Sequence, residues 1–398
     1  MSAPGKARTL PNVAGTRRCA VANVAGTRRC AVSPSEQSPR AAAPRTVARA
    51  IATVALLAAL LPAAAPAGHA VIVVANHTGA PVPLLLSGAD RTARRLELQA
   101  GEVAPVPVTG RVAASFVSAG QTRHYALDPN RAYTFIERRG RLDLAVVPLA
   151  AGPDAPPAPS GEGRILPPPE PLVVPVKLLV DDDEPAVQAV WEPRLRNRLA
   201  EASRIFEQHG GIRLKVVAVD TWHSDNRIDD FAESLAEFER EVDPAPARLA
   251  IGFTSQYHIP PRRVPLGGTR GPLHPWILIR EWSQHVTAAE RLEILVHELG
   301  HFFGAAHSAG SDSVMRPELG DRQAHALAFR IGFDPLNTLA MNLLAAELRR
   351  GPFRGYQHVR PETWAALHQV YSTLADSLPD DPAAPRYIEF LERHRPEE

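Results

Sequence analysis

Residues 296–307 read Val-His-Glu-Leu-Gly-His-Phe-Phe-Gly-Ala-Ala-His, and they predict more about this 398-residue chain than any other segment. His297 and His301 are four residues apart, so on a helix both imidazoles project from one face and can share one metal ion. Gly304 lets the chain leave the helix in a backbone conformation that other residues resist. His307 can then supply a third nitrogen. The segment therefore predicts a helix that ends in a turn around a three-histidine metal site.

Three imidazole ligands and one free position are typical of catalytic zinc, since structural zinc sites are usually closed by four protein ligands. Zinc lowers the pKa of a bound water from about 15.7 to about 7. Glu298, next to the first histidine, can lie beside the open position and act as the general base. The pattern therefore predicts hydrolysis, with the same proton passing to a leaving amine.

This pattern, extended by a downstream methionine, resembles the signature of the metzincin zinc peptidases. The matching residues are His297, Glu298, His301, Gly304, His307 and, within the segment 313–317, Met315. A bare H-E-x-x-H can arise by chance on an amphipathic helix, but the third histidine, the glycine and the methionine favour a metal site.

The details of the match resemble the matrixin branch, because Ser308 directly follows the third histidine. Pro317 stands where some metzincins carry a tyrosine that reaches the metal, so we assign no fifth protein ligand. The resemblance implies an α+β catalytic domain in which a twisted mixed sheet carries the zinc helix. It also implies that Zn²⁺ is the cofactor, that Met315 forms a hydrophobic floor beneath it, and that the substrate is a peptide or protein.

Residues 1–70 are predicted to be an N-terminal extension and a signal peptide. They contain a duplicated stretch, 12–21 and 23–32, then arginines, the apolar run Ala50 to Leu61, and small residues up to Ala70. This order is typical of a secretory signal, and the apolar run is too short to span a bilayer comfortably. We therefore expect an exported protein, in the periplasm, at the cell surface or outside the cell, with no stable membrane span after cleavage.

The composition of the chain argues against two classes of protein, those stabilised by disulfides and those that bind nucleic acid. Both cysteines, Cys19 and Cys30, lie in this N-terminal segment, so a disulfide framework and the cysteine-switch latency of some matrixins are not expected. The segment also holds nine of the 44 Lys and Arg residues and one of the 43 Asp and Glu residues, which leaves the remainder with a net charge of −7. An excess of basic residues, which is typical of proteins that bind nucleic acid, is therefore absent from that remainder. The alanine- and arginine-rich composition is typical of bacteria, and the oligomeric state is left open.

The sequence pattern of residues 71–150 predicts a small all-β module, either a sandwich or a barrel. Short apolar runs separated by turn residues predict eight strands, at 71–74, 82–86, 96–98, 103–108, 112–117, 122–127, 133–136 and 142–147. His77 and His124 are isolated and are predicted not to be ligands.

Residues 151–171 are rich in proline, which predicts an extended, semi-rigid linker.

Residues 172–333 are predicted to form the metzincin-type domain. Strand, helix, strand, helix and strand follow one another from Val173 to Phe253, with Pro193 expected at the start of the first helix and Gly210 at its end. The acidic run 181–184 is predicted to be a solvated turn rather than a calcium loop. Thr287 and Glu290 form a capping box at the start of the zinc helix. His274 and His285 are predicted to be non-ligands.

The segment 266–269 has two interpretations. By resemblance to metzincins it forms the sheet edge along which an extended peptide pairs, and the alternative is an ordinary glycine-rich loop. Residues 334–398 are predicted to be a helical extension, with one helix opened by Pro335 and closed by Gly351 and another lined by Trp364, Leu367, Tyr371, Leu374 and Leu378. These apolar stripes fit either a core or a dimer surface. His325 and His358 have no partner pattern.

Together these features predict a secreted zinc-dependent endopeptidase. One alternative is a surface-binding protein whose β module carries the function and whose zinc domain is mainly structural. Another is an enzyme that cleaves a single partner or matures itself.

Overall fold

The structure is a computed structural model, and it describes residues 70–152, 161–255, 266–281, 286–319, 330–351 and 356–396. Several predicted features lie outside the described residues: positions 1–69 of the signal segment, the most proline-rich part of the linker, His285 and His325. Within the described ranges no helix combines the length and the apolar character needed to cross a bilayer.

The eight strands predicted in the N-terminal part are confirmed, and they form two four-stranded sheets. They are β1 (Ala70–Asn76), β2 (Val82–Ser87), β3 (Ala93–Leu98), β4 (Val103–Val108), β5 (Val112–Ser118), β6 (Gln121–Leu127), β7 (Arg131–Arg138) and β8 (Arg141–Val146). The strand orders are β4-β1-β7-β8 and β3-β2-β5-β6. Alternate residues of β2, namely Val82, Leu84 and Leu86, are buried in the core between the sheets. The module is therefore a sandwich.

The C-terminal half of the predicted linker is not a free spacer. Residues 161–166 run along the sandwich, where Gly163 donates a hydrogen bond to the Arg111 carbonyl and Leu166 donates one to the Pro107 carbonyl. The approach is close enough that a Cβ on Gly163 would lie 2.3 Å from the Gly110 nitrogen. Glycine is required here because the two backbones touch. Backbone pairing of this kind cannot be read from proline content.

A five-stranded sheet follows, and it confirms the predicted alternation of strands and helices. Its strands are β9 (Leu172–Asp181), β10 (Ile212–Trp222), β11 (Leu249–Thr254), β12 (Gly267–Gly268) and β13 (Trp276–Arg280), in the order β10-β9-β11-β13-β12. All neighbours are parallel except β12, which pairs antiparallel with β13. Every residue of β11 is buried, as expected for a parallel strand covered on both faces.

Helices cover both faces of this sheet. Helix α1 (Gln188–Gly210) and helix α3 (Ala288–Phe302) share one core with β9, and helix α2 (Phe231–Glu241) packs on the opposite face. The prediction that Pro193 starts α1 is wrong, since the helix begins five residues earlier. Trp191, only 3% exposed, belongs to the first turn and packs into the core, and Pro193 lies in the second turn.

The acidic run after β9 is only partly a solvated turn. Asp182 and Asp183 are exposed, as predicted, but the prediction is wrong for Asp181, which is 1% exposed. Its carboxylate accepts hydrogen bonds from the Thr254 hydroxyl at 2.7 Å and from the Ser255 amide at 2.6 Å. Burial raises the pKa of Asp181 to about 6, with the two hydrogen bonds acting in the opposite direction. No local pattern indicated that the first residue of the acidic run belongs to the sheet interior.

Three C-terminal helices complete the described fold: α4 (Pro335–Arg349), α5 (Pro361–Ser377) and α6 (Ala383–Arg393). Their apolar stripes form a core rather than a free surface. This core includes Leu339 and Leu343 of α4 and the outward residues Val71, Val73 and Ala75 of β1. Trp364, Leu367, Tyr371 and Leu374 of α5 are each at most 4% exposed. Helix α4 contacts both β1 of the sandwich and β9 of the five-stranded sheet, so it lies between them.

Candidate metal centre

Helix α3 begins at a well-defined cap. The Thr287 hydroxyl accepts a hydrogen bond from the Glu290 amide at 3.3 Å, and the Glu290 carboxylate accepts one from the Thr287 amide at 2.8 Å. This reciprocal pair is the predicted capping box. Leu295, Leu299 and Phe302 bury the opposite face of the helix in the core. Because the helix is fixed at its start and along one face, His297 and His301 have fixed positions.

The chain turns at Gly304, as predicted. Gly304 has φ +85°, in the left-handed region, and the Ala305 amide donates to the Gly300 carbonyl at 2.8 Å. A Cβ at this glycine would also lie 3.0 Å from the Tyr371 hydroxyl. The turn returns the chain toward α3, and it brings His307 to the two helical histidines.

The three histidines converge through their Nε2 atoms. His297 Nε2 lies 3.1 Å from His301 Nε2 and 3.3 Å from His307 Nε2. Nitrogens bound tetrahedrally at about 2.0–2.1 Å from one zinc are about 3.3 Å apart, so the set fits one ion. Among the described residues, this is the group of His, Cys, Asp or Glu whose ligand atoms are close enough to hold a metal.

The second nitrogen of each histidine already has an acceptor. The Nδ1 atoms face the Val314 carbonyl at 2.8 Å for His297, the Ala305 carbonyl at 3.0 Å for His301, and the Asp381 carboxylate at 2.8 Å for His307. A carbonyl oxygen can only accept, so Nδ1 carries the proton in His297 and His301 and Nε2 is left with a lone pair. Partners of this kind orient metal-ligating imidazoles.

Electrostatics keep the helical histidines neutral. Burial lowers the pKa of His297 to about 3, and the neighbouring His307 acts in the same direction. Burial also lowers the pKa of His301 well below its usual range. Neutral imidazole is the form that binds a metal ion. The site is therefore prepared for a cation without a prior loss of protons from these two side chains.

The segment after His307 passes beneath α3. Met315 is fully buried, and a Cβ on Gly300 would lie 2.7 Å from its sulfur. The Ser308 amide donates to the Met315 carbonyl at 3.0 Å, which ties this turn to the third histidine. Met315 thus packs directly against the histidine-bearing helix at Gly300.

Glu298 lies between α3 and the edge strand β12. Its side chain is packed so closely against Gly267 that a Cβ there would lie 2.7 Å from Glu298 Cγ and 2.9 Å from Oε1. Burial raises the pKa of Glu298 to about 8. A buried carboxyl group with a raised proton affinity, next to His297 in the sequence, is the kind of group that can act as a general base.

Four further side chains from the C-terminal part of the chain reach His301 or the turn that follows it, and none of these contacts was predicted from the sequence. They are Asn337, Tyr371, Asp381 and Tyr387, which contact Ala306, Gly304, His307 and His301 respectively. The smallest separation, that of Asn337 from Ala306, is 31 residues, so no local spacing could have revealed these contacts.

The histidines predicted to be non-ligands lie away from this group wherever they are described. His77, His124 and His358 are exposed. His274 is half-buried, 3.7 Å from Glu239, and burial lowers its pKa.

Comparisons with known proteins give only partial matches. No protein-family model and no curated protein matches the chain. Among solved structures, the archaemetzincin of Methanopyrus kandleri is similar over 42% of this chain and 94% of its own, with 16% identity and a TM-score of 0.33. A chaperone-substrate complex is similar over 71% of this chain and 48% of its own, with 10% identity and a TM-score of 0.31. The chain is thus similar to an archaemetzincin over part of its length, and its buried three-histidine group is consistent with a zinc site.

Proposed function

We propose that the protein is a zinc-dependent endopeptidase of the metzincin type, in which His297, His301 and His307 bind the metal and Glu298 is the general base. The observation that carries the proposal is the convergence of three Nε2 atoms, since those of His301 and His307 lie 3.1 Å and 3.3 Å from that of His297. Glu298, which follows His297 in the sequence, is buried. Three nitrogen ligands leave one tetrahedral position for water or substrate, as in catalytic zinc sites.

Zinc, when bound, acts as a Lewis acid and lowers the pKa of water. The protein supplies the proton transfers. Glu298, adjacent to the first ligand, takes the proton of the attacking water and delivers it to the leaving amine. The raised pKa of Glu298 suits both steps, because a stronger base accepts the proton more readily and the resulting acid still donates it to an amine.

The substrate is proposed to be an extended peptide that adds to the sheet at β12. Among the described strands β12 is last in the sheet order and pairs only with β13. Its outer backbone groups can therefore pair with a peptide, as in β-strand addition. Gly267 belongs to this strand and touches Glu298, so a peptide paired here would pass the general base.

We further propose that the protein belongs to the matrixin branch and that a bacterial cell exports it. Ser308 after the third histidine supports the matrixin branch. The basic, apolar and small-residue order of residues 40–70 supports export from a bacterial cell. N-terminal sequencing of the exported protein is expected to give a start after Ala67 or Ala70. A start before Arg40 would contradict the signal peptide.

Removal of the metal is the direct test of this function. Treatment with a chelator is expected to abolish cleavage of casein, because the histidines alone do not activate water. One equivalent of Zn²⁺ per chain, but not Ca²⁺, is expected to restore the cleavage. Activity that survives the complete removal of zinc would contradict the proposal. Zinc binding without any cleavage would favour the alternative in which the β module carries the function or a single partner is the substrate.

A further inference from the structure

His307 has less local support than the other two histidines. His297 and His301 lie within α3, whereas His307 lies five residues beyond its last residue, Phe302. Its side chain is 20% exposed. A residue in a turn can adopt several side-chain orientations, so something outside the signature must direct its Nε2 toward the other two histidines.

Asp381 provides that direction. It lies in the loop between α5 and α6, and its Oδ2 accepts a hydrogen bond from His307 Nδ1 at 2.8 Å. The other two histidines have neutral carbonyl partners, so His307 is the one whose Nδ1 is paired with a carboxylate. A carboxylate makes a stronger, charge-assisted hydrogen bond than a carbonyl does, and such a bond fixes the orientation of a ligating imidazole.

The Asp381 carboxylate is itself held in place. Its Oδ1 accepts the Ala383 amide at 2.9 Å, and its own amide donates to the Leu378 carbonyl at 3.1 Å. One oxygen therefore fixes the loop at the start of α6 while the other is aimed at His307. The side chain is only 15% exposed, which limits competition from water.

The neighbouring C-terminal helices hold the backbone of the same turn. The Asn337 side chain accepts the Ala306 amide at 2.8 Å and donates to the Ala306 carbonyl at 2.9 Å. The Tyr371 hydroxyl donates to the Gly304 carbonyl at 2.7 Å. The turn is thus fixed on both sides by residues beyond 333, and Asp381 fixes the imidazole that the turn carries.

We propose that Asp381 is a positioning residue of the metal centre, which holds His307 in its ligating orientation, so that the loop between α5 and α6 completes the site. The inference rests on the metal site proposed above. It extends that site to a part of the chain outside the signature. The outer face of β1 packs in the same core as α4, α5 and α6, the helices that flank this loop.

The test is the zinc dissociation constant of the full chain, measured by competition with a chromophoric chelator. Asp381→Asn is expected to weaken zinc binding about 10–100-fold, the usual effect of removing such a partner. Asp380→Asn is the matched control, since Asp380 is the exposed neighbour in the same loop, and it is expected to bind zinc within about two-fold of the parent.

A double-mutant cycle separates positioning from a general effect on stability. In a His307→Ala background, Asp381→Asn is expected to change zinc affinity less than about three-fold, because its action passes through His307. A loss of the same size in both backgrounds would overturn the proposal, and so would unchanged affinity in the single variant.

A second variant keeps the test usable if Asp381→Asn fails to fold. Asp381→Ser keeps a short oxygen acceptor for the Ala383 amide but is too short to reach His307, and it is also expected to weaken zinc binding. Loss of the folded state in both variants would assign Asp381 to loop stability and overturn the proposal. Absence of zinc from the parent would instead refute the proposed function, so the two failures are distinguishable.

Discussion

Glu298→Gln is expected to lower kcat/KM for peptide cleavage by about 10²–10⁴-fold while zinc stays bound at one ion per chain. Glutamine has nearly the same shape as glutamate but cannot accept the proton of the attacking water. The three imidazoles and their partners at Val314, Ala305 and Asp381 are untouched by the change. The variant should therefore lose catalytic rate but keep its zinc.

The free energy of unfolding is not expected to fall in this variant. Burial raises the pKa of Glu298, which means that the folded state disfavours its charged form, so a neutral amide removes that cost. Glu201→Gln, on the exposed surface of α1, controls for the loss of one carboxylate. Steady-state kinetics and zinc analysis on the same samples provide the comparison. Normal turnover would remove Glu298 from the mechanism, and loss of zinc would make it part of the metal site instead.

His307→Ala is expected to weaken zinc binding by roughly 10²–10⁴-fold, since the free energy of zinc binding, about 10–16 kcal/mol in structural sites, is shared among a few ligands. His358→Ala provides the matched control, because His358 is exposed and does not belong to the convergent group. Its affinity for zinc is expected to equal that of the parent. Competition with a chelator measures both variants. An equal loss from the two changes would contradict the ligand set.

The sequence predicted the centre of the site because its information is local there. Two histidines four residues apart define one face of a helix, Thr287 and Glu290 define its start, and Gly304 defines its turn. These features depend only on backbone geometry over a few residues. For the same reason the sandwich strands were predicted well, since alternating burial and turn residues specify each strand separately.

The sequence did not predict what surrounds the site. Asp381 is 74 residues from His307, and Tyr387 is 86 residues from His301, so their contacts depend on how the C-terminal helices pack. Asp181 was missed for a related reason. A carboxylate in an acidic run resembles a solvated turn until the neighbouring strand supplies Thr254 and Ser255 as donors. Long-range packing determines both features.

The sandwich packs against the C-terminal helices, which was not expected from the sequence. The sequence showed a β module followed by a proline-rich spacer, which favoured independent parts. In the structure the outer face of β1 shares a core with α4 and α5, and the Ala150 amide donates to the Thr373 hydroxyl at 2.8 Å. The division of the chain into separate folding units stays a prediction. The contacts themselves connect the sandwich to the helices that hold the turn around His307.

X-ray absorption at the zinc edge of the purified parent protein tests the central claim most directly. The predicted spectrum has one zinc per chain, with three imidazole nitrogens at about 2.0–2.1 Å and one further nitrogen or oxygen atom. Three imidazole ligands are the number expected if His297, His301 and His307 form the site. A protein without zinc, or a zinc closed by four protein ligands, would contradict it.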